Sequence, residues 1–199
     1  MRRRRFLAAL LLSPAAAAGC RPGQKAPPEG AAPSPPPPQD GCETALRDAR
    51  SGRMLSPAEW DALEAACERI LPRDGDAGAR DAGVINYIDA QLAAPPVASL
   101  RGLLQAGARE LDRQAAARGG RRFSALGAAE QDQVLGALQR GRLESGQAGA
   151  RFFQVLLVLT LEGFLGDPVY GGNWGGVGWR LVGHEPRSPR PRCAHRGAG

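Results

Sequence analysis

The residues able to do chemistry in this chain are few, and their spacing does not serve it. His184 and His195 are the two histidines, and both lie near the C-terminus. The four cysteines are Cys20, Cys42, Cys67 and Cys193. There is no His-Glu-x-x-His, no Cys-x-x-Cys pair for zinc and no Cys-x-x-Cys-His for haem attachment. There is also no Gly-x-Ser-x-Gly nucleophile elbow. Cys193 and His195 make one Cys-x-His pair in an Arg- and Pro-rich tail, which is a weak metal signal. Asp81, Asp89, Glu162 and Asp167 are acid/base candidates by type. Asp81 reads more simply as a helix-start residue and Asp89 as a polar-face residue. Asp167 precedes Pro168, where aspartate forms turns. The glycines between 171 and 178 follow a helix rather than a strand, so a dinucleotide fingerprint fails on context. These patterns argue against a catalytic site, a metal site or a bound cofactor on the chain itself.

What the side chains can do is recognise. Residues 159–183 read LTLEGFLGDPVYGGNWGGVGWRLVG. Tyr170, Trp174 and Trp179 fall within ten positions, among Gly171, Gly172, Gly175, Gly176 and Gly178. So many glycines argue against a helix, and no two-residue alternation marks a strand. The expectation is a shaped loop with large amphipathic anchors. Two readings stand side by side: the loop folds back as a plug on its own core, or it is a contact surface for another protein. In the second, Asp167, Pro168, Tyr170, Gly171, Gly172, Asn173, Trp174 and Trp179 form the partner interface.

The elements that must hold this loop are helices. Ser56-Pro57-Ala58-Glu59 is a capping-box start, and Trp60, Leu63, Cys67, Ile70 and Leu71 follow at helical spacing until Pro72. The apolar side of that helix makes Cys67 a plain buried thiol. A second helix is expected over 79–93, with Val84, Tyr87, Ile88 and Leu92 inward. A third is expected over 97–118 and a fourth over 128–140, with Phe123 and Leu126 stapled into the core before it. A fifth runs from about Gln147 to Leu165. It is apolar almost all round, so it is expected to be the central buried helix, short of a transmembrane span. The fold class is all-α: a compact bundle of about five helices closed by the C-terminal Gly/aromatic-rich loop.

The N-terminus, MRRRRFLAALLLSPAAAAGC, has a basic start, an apolar stretch and small residues before Cys20. Arg3, Arg4, Phe6 and Leu7 resemble a twin-arginine export signal, which the twin-arginine translocase would read. Ala17-Ala18-Gly19-Cys20 resembles a bacterial lipobox with lipidation on Cys20, while Ala16-Ala17-Ala18 offers a competing cleavage site. Residues 21–53 are Pro-rich and read as a tether. The organisation expected is an export signal over 1–20, that tether, a helical domain over 54–183 and a disordered Arg/Pro-rich tail over 184–199. With Cys20 lipidated, Cys42, Cys67 and Cys193 allow one disulfide; otherwise two are open. The net charge of +6 includes Arg2 to Arg5, and no basic stripe with interleaved aromatics marks a nucleic-acid binder. The expected location is the periplasm, membrane-associated.

Four stretches together resemble the gluconate 2-dehydrogenase subunit 3 family. They are LSPAEWDALEAACERILP at 55–72, GARDAGVINYID at 78–89, and the 123–138 pattern with Glu130-Gln131 and Val134-Leu135. The fourth is 152–183, with Gly166-Asp167-Pro168-x-Tyr170-Gly171-Gly172-Asn173 and Gly178-Trp179-Arg180. The resemblance implies a non-catalytic small (gamma) subunit of a membrane-bound dehydrogenase. A flavoprotein large subunit with FAD would oxidise the substrate, and a cytochrome c subunit with haem c would pass on electrons. The small subunit would assist assembly and carry the folded flavoprotein out through its twin-arginine signal. Cys20 with its tether, the extra Gly175-Gly176 and the tail after His184 depart from the family pattern. The substrate stays open among gluconate, another sugar acid, an alditol and a sugar. The competing reading is a stand-alone periplasmic lipoprotein with a binding or structural role.

Overall fold

A computed structural model describes residues 54–95, 97–119 and 122–186. Six α-helices follow in order: α1 Pro57–Ile70, α2 Val84–Gln91, α3 Arg101–Ala116, α4 Ala128–Gln139, α5 Gly146–Leu165 and α6 Val177–Val182. Short 3₁₀ turns precede α3 and α4, and two more lie between α5 and α6. Among the described residues there is no strand, and the fold is all-α as the periodicity implies.

Local chemistry sets the starts. The Ser56 hydroxyl accepts from Glu59 N–H, and the Glu59 carboxylate accepts from Ser56 N–H, with Pro57 in the first turn. Glu130 repeats half of that device on α4, accepting the Gly127 N–H at 3.0 Å. α2 begins later than the expected residue 79. Gly83 takes a left-handed φ of 63°, so residues 79–83 form a turn that resets the chain direction. The expected third helix divides into a 3₁₀ turn, Val97–Leu100, and α3.

α5 packs against α4, α2 and α3, and α1 packs against α3. The centre holds Leu63, Leu111, Phe123, Leu135, Phe152 and Leu156, all fully buried. Phe123 and Leu126 enter this core as expected. Two ion pairs tie the layers. Arg69 grips Asp132 through Nε and Nη2 at 2.8 and 2.9 Å, joining α1 to α4. Arg109 reaches Glu59 at 2.7 Å, joining α3 to α1.

α3 and α5 meet where Gly107 faces the Phe152 ring. A Cβ there would overlap the ring, which is itself walled in at 1% exposure. Gly107→Ala should therefore lower the melting temperature. Helix propensity alone would raise stability by about 1 kcal/mol. Overpacking costs about 1–3 kcal/mol and outweighs it. A thermal melt of the two proteins decides the sign.

Two further expectations fail. Asp89 is not a polar-face residue. It is 5% exposed, and its carboxylate accepts the N–H groups of Met54 and Leu55, both at 3.0 Å. Those two residues precede α1, and the carboxylate takes the place of water at their amides. α5 is not buried all round either. At 20 residues it is long and apolar enough to cross a membrane by length and composition, which the sequence reading denied. One side carries Phe152, Phe153, Leu156 and Phe164 into the core, while Val158, Leu161 and Leu165 face outward.

Candidate partner interface

The segment after α5 is built as the cap of that helix. The last carbonyls of an α-helix have no partner within it. Here the Asn173 N–H donates to Gly163 O at 2.7 Å, and Asn173 Nδ2 donates to Gly166 O at 2.8 Å. Trp179 Nε1 donates to Leu165 O at 2.7 Å, and Gly166 N–H to Glu162 O at 2.7 Å. Asn173 Oδ1 accepts the Gly178 N–H at 2.8 Å, which fixes the start of α6. Asn173 is fully buried and left-handed, at φ 47°. Asn is among the few L-residues that adopt that conformation cheaply.

Backbone runs against backbone here. A Cβ on Gly172 would strike the Gly163 carbonyl, and one on Gly178 would strike the Phe164 carbonyl. Trp174 N–H donates to Ala82 O at 3.2 Å, and its ring lies on Gly83, which pins the segment to the start of α2. Asp167 accepts the Val169 N–H at 3.0 Å and opens the 3₁₀ turn Pro168–Tyr170. The expectation of an irregular loop is thus corrected: the segment holds two 3₁₀ turns and α6, a helix containing Gly178. Helix propensity forbids little over six residues when the glycine is demanded by close approach.

The inner side of this cap is core and its outer side is surface. Gly171, Gly172 and Asn173 are buried; Asp167, Pro168, Trp174 and Trp179 are half-buried; Tyr170 is exposed. Among the described residues, the large apolar side chains most open to solvent are Val158, Leu161, Leu165, Tyr170, Leu181 and Val182. All fall within 25 residues of sequence, on α5 and its cap, and the Trp179–Leu165 hydrogen bond holds the two parts together. Val158 is 51% exposed and Val182 is 60%. Single exposed apolar residues are ordinary, but a contiguous group marks an interaction site. Sequence reasoning missed Val158, Leu161, Leu165, Leu181 and Val182. Their i, i+3, i+7 stripe on α5 was legible only against a knowledge of which face the bundle covers.

The remaining chemistry is structural. Burial pushes the Cys67 thiol up to about 12, and its neighbour Thr160 donates to Leu156 O at 2.7 Å. Partial burial would raise Asp81, but hydrogen bonds from Arg73 and the Gly78 N–H, with the Arg73 charge, outweigh it and hold the carboxyl below its ordinary value. Asp81 therefore braces the turn before α2 rather than starting that helix. Among the described residues no group of three or more His, Cys, Asp or Glu side chains is placed to hold a metal ion. Arg3, Arg4, Phe6, Leu7 and Cys20 lie outside the described residues, as do Cys42, Cys193, the tether and residues 187–199.

A family model described as gluconate 2-dehydrogenase subunit 3 matches residues 57–186, which runs from the first residue of α1 to just past α6. No curated protein and no solved structure matches.

Proposed function

This chain belongs to the gluconate 2-dehydrogenase subunit 3 family, and from that premise we propose that it is the non-catalytic small subunit of an exported, membrane-associated, flavin-dependent dehydrogenase of sugars or sugar acids. The family places it in a dehydrogenase complex beside a large subunit. The observation that carries the reading further is the apolar face of α5 and its cap. A monomer gains nothing by leaving Val158, Leu161, Leu165, Leu181 and Val182 in water. A large subunit covering them would gain apolar burial, with Tyr170, Trp174 and Trp179 as aromatic anchors. Asn173, Gly171 and Gly172 lie behind that face and shape it.

In this reading FAD sits on the large subunit and haem c on a cytochrome subunit. This chain offers neither a Cys-x-x-Cys-His motif nor a dinucleotide fingerprint on a strand. Its own tasks are to dock, to assist assembly, and to lend its twin-arginine-like signal to a partner that leaves the cytoplasm folded. Cys20 supplies the membrane anchor through a lipid. The test is a tagged pull-down from detergent-solubilised membranes, with mass spectrometry and a visible spectrum of the eluate. A co-eluting flavoprotein with oxidised-flavin bands is the expected result. A colourless single chain would overturn the reading and favour a lone lipoprotein. In the same cells, Arg3→Lys with Arg4→Lys should strand both proteins in the cytoplasm; normal export of the partner would remove the carrier role.

A further inference from the structure

The exposed side of α5 is not uniformly apolar. At about 100° per residue, positions 151, 154, 158, 161, 162 and 165 share one arc of the helix. All six are exposed: Arg151 and Gln154 at the N-terminal end, then Val158, Leu161, Glu162 and Leu165. Glu162 is the one acidic residue of α5. It stands within the apolar part of the arc, one residue from Leu161 and one turn from both Val158 and Leu165.

The carboxylate is held rather than loose. Tyr87 of α2 donates its hydroxyl to Glu162 Oε2 at 3.1 Å. The Tyr87 ring reaches that position by lying against α5 at Gly163, where a Cβ would come within 2.9 Å of it. Burial of Tyr87, then the Glu162 charge and hydrogen bond, push the phenol well above its ordinary range, so it stays a donor at every physiological pH. Tyr170 of the cap also lies close enough to Tyr87 to add to that shift. A glycine and a tyrosine on two helices thus position one carboxylate among the exposed apolar side chains of α5.

We propose that Glu162, oriented by Tyr87, is the polar determinant of that face, and that the dehydrogenase large subunit meets it with an apolar depression bearing an arginine or lysine. The inference rests on the docking role argued above and adds the chemistry of the partner. Covering Val158, Leu161 and Leu165 strips water from Glu162 at the same time. A carboxylate desolvated with only a phenol for company would oppose docking, so the covering surface must supply the countercharge. Such a pair sets orientation and rejects partners that lack the cation.

The experiment measures association of the large subunit recovered in the pull-down with the full chain and three variants. Glu162→Gln keeps an oxygen for the Tyr87 hydroxyl and removes the charge. It should weaken binding at least tenfold, with an unchanged melting temperature and a shallower dependence of the on-rate on salt. Tyr87→Phe frees the carboxylate and should weaken binding a few-fold. Val158→Asp with Leu161→Asp tests the face itself. If that double variant fails to bind while Glu162→Gln binds within twofold of the parent, the charge pairing is wrong and the docking face stands. If both bind like the parent, the face is not the docking site and the inference falls with it.

Discussion

Asn173→Ala is expected to destabilise the isolated chain by about 3 kcal/mol and to lower its melting temperature by about 10 °C. The side chain makes two hydrogen bonds that no water can replace, since the residue is fully buried. Removing it leaves the Gly166 carbonyl and the Gly178 N–H without those partners, at about 1–3 kcal/mol each. Alanine also resists the left-handed backbone that Asn173 adopts, by about 1 kcal/mol. Asn173→Gly separates the terms, because glycine keeps the backbone and loses the bonds. It should melt between the parent and the alanine variant. A melt of Asn173→Ala that overlays the parent would show that the segment after α5 is an appendage rather than a cap.

Val158→Asp combined with Leu161→Asp should weaken the complex with the large subunit at least 100-fold, equivalent to about 2.7 kcal/mol. The free chain should lose only about 1–2 kcal/mol, from the poorer helix propensity of Asp and its repulsion of Glu162, because both side chains are already open to solvent. The asymmetry carries the argument. A charge costs little in water and several kcal/mol under an apolar surface whose one cation is already matched to Glu162. Pull-down recovery and a thermal melt on the same preparation measure both numbers. Undiminished recovery would move the interface elsewhere on the bundle. Lost recovery with a collapsed melt would mean that α5 needs those residues for its own packing.

Much of the bundle was legible because its signals are local. The capping box at Ser56 and Glu59, the stop at Pro72 and the buried stripe of Leu104, Ala108 and Leu111 each depend on a few neighbouring residues. The family resemblance, carried by four short stretches, likewise agrees with the match over residues 57–186. What local patterns missed was set by distant partners. Asp89 looks solvated by its spacing, yet it serves amides 34 and 35 residues away. α6 holds a glycine because Phe164's carbonyl occupies the space of a side chain, which no propensity encodes. On α5, apolarity all round does not mean burial all round. Its neighbours in this bundle cover one side, and the other side presents Val158, Leu161 and Leu165 to solvent. The anchors Tyr170 and Trp179 were visible by type, whereas their division into outer residues and inner supports such as Asn173 depended on the cap geometry.

The fastening of Met54 and Leu55 has a mechanical meaning. Residues 1–53 join the domain at this point, so any pull on them arrives here. The load does not fall first on the opening turn of α1. Asp89 on α2 holds two consecutive amides, and Gln105 on α3 donates to the Met54 carbonyl at 3.0 Å. Tension is therefore shared among three helices at the moment it enters, and several bonds must fail together before α1 can peel away. A domain pulled at this end would keep its shape under the load.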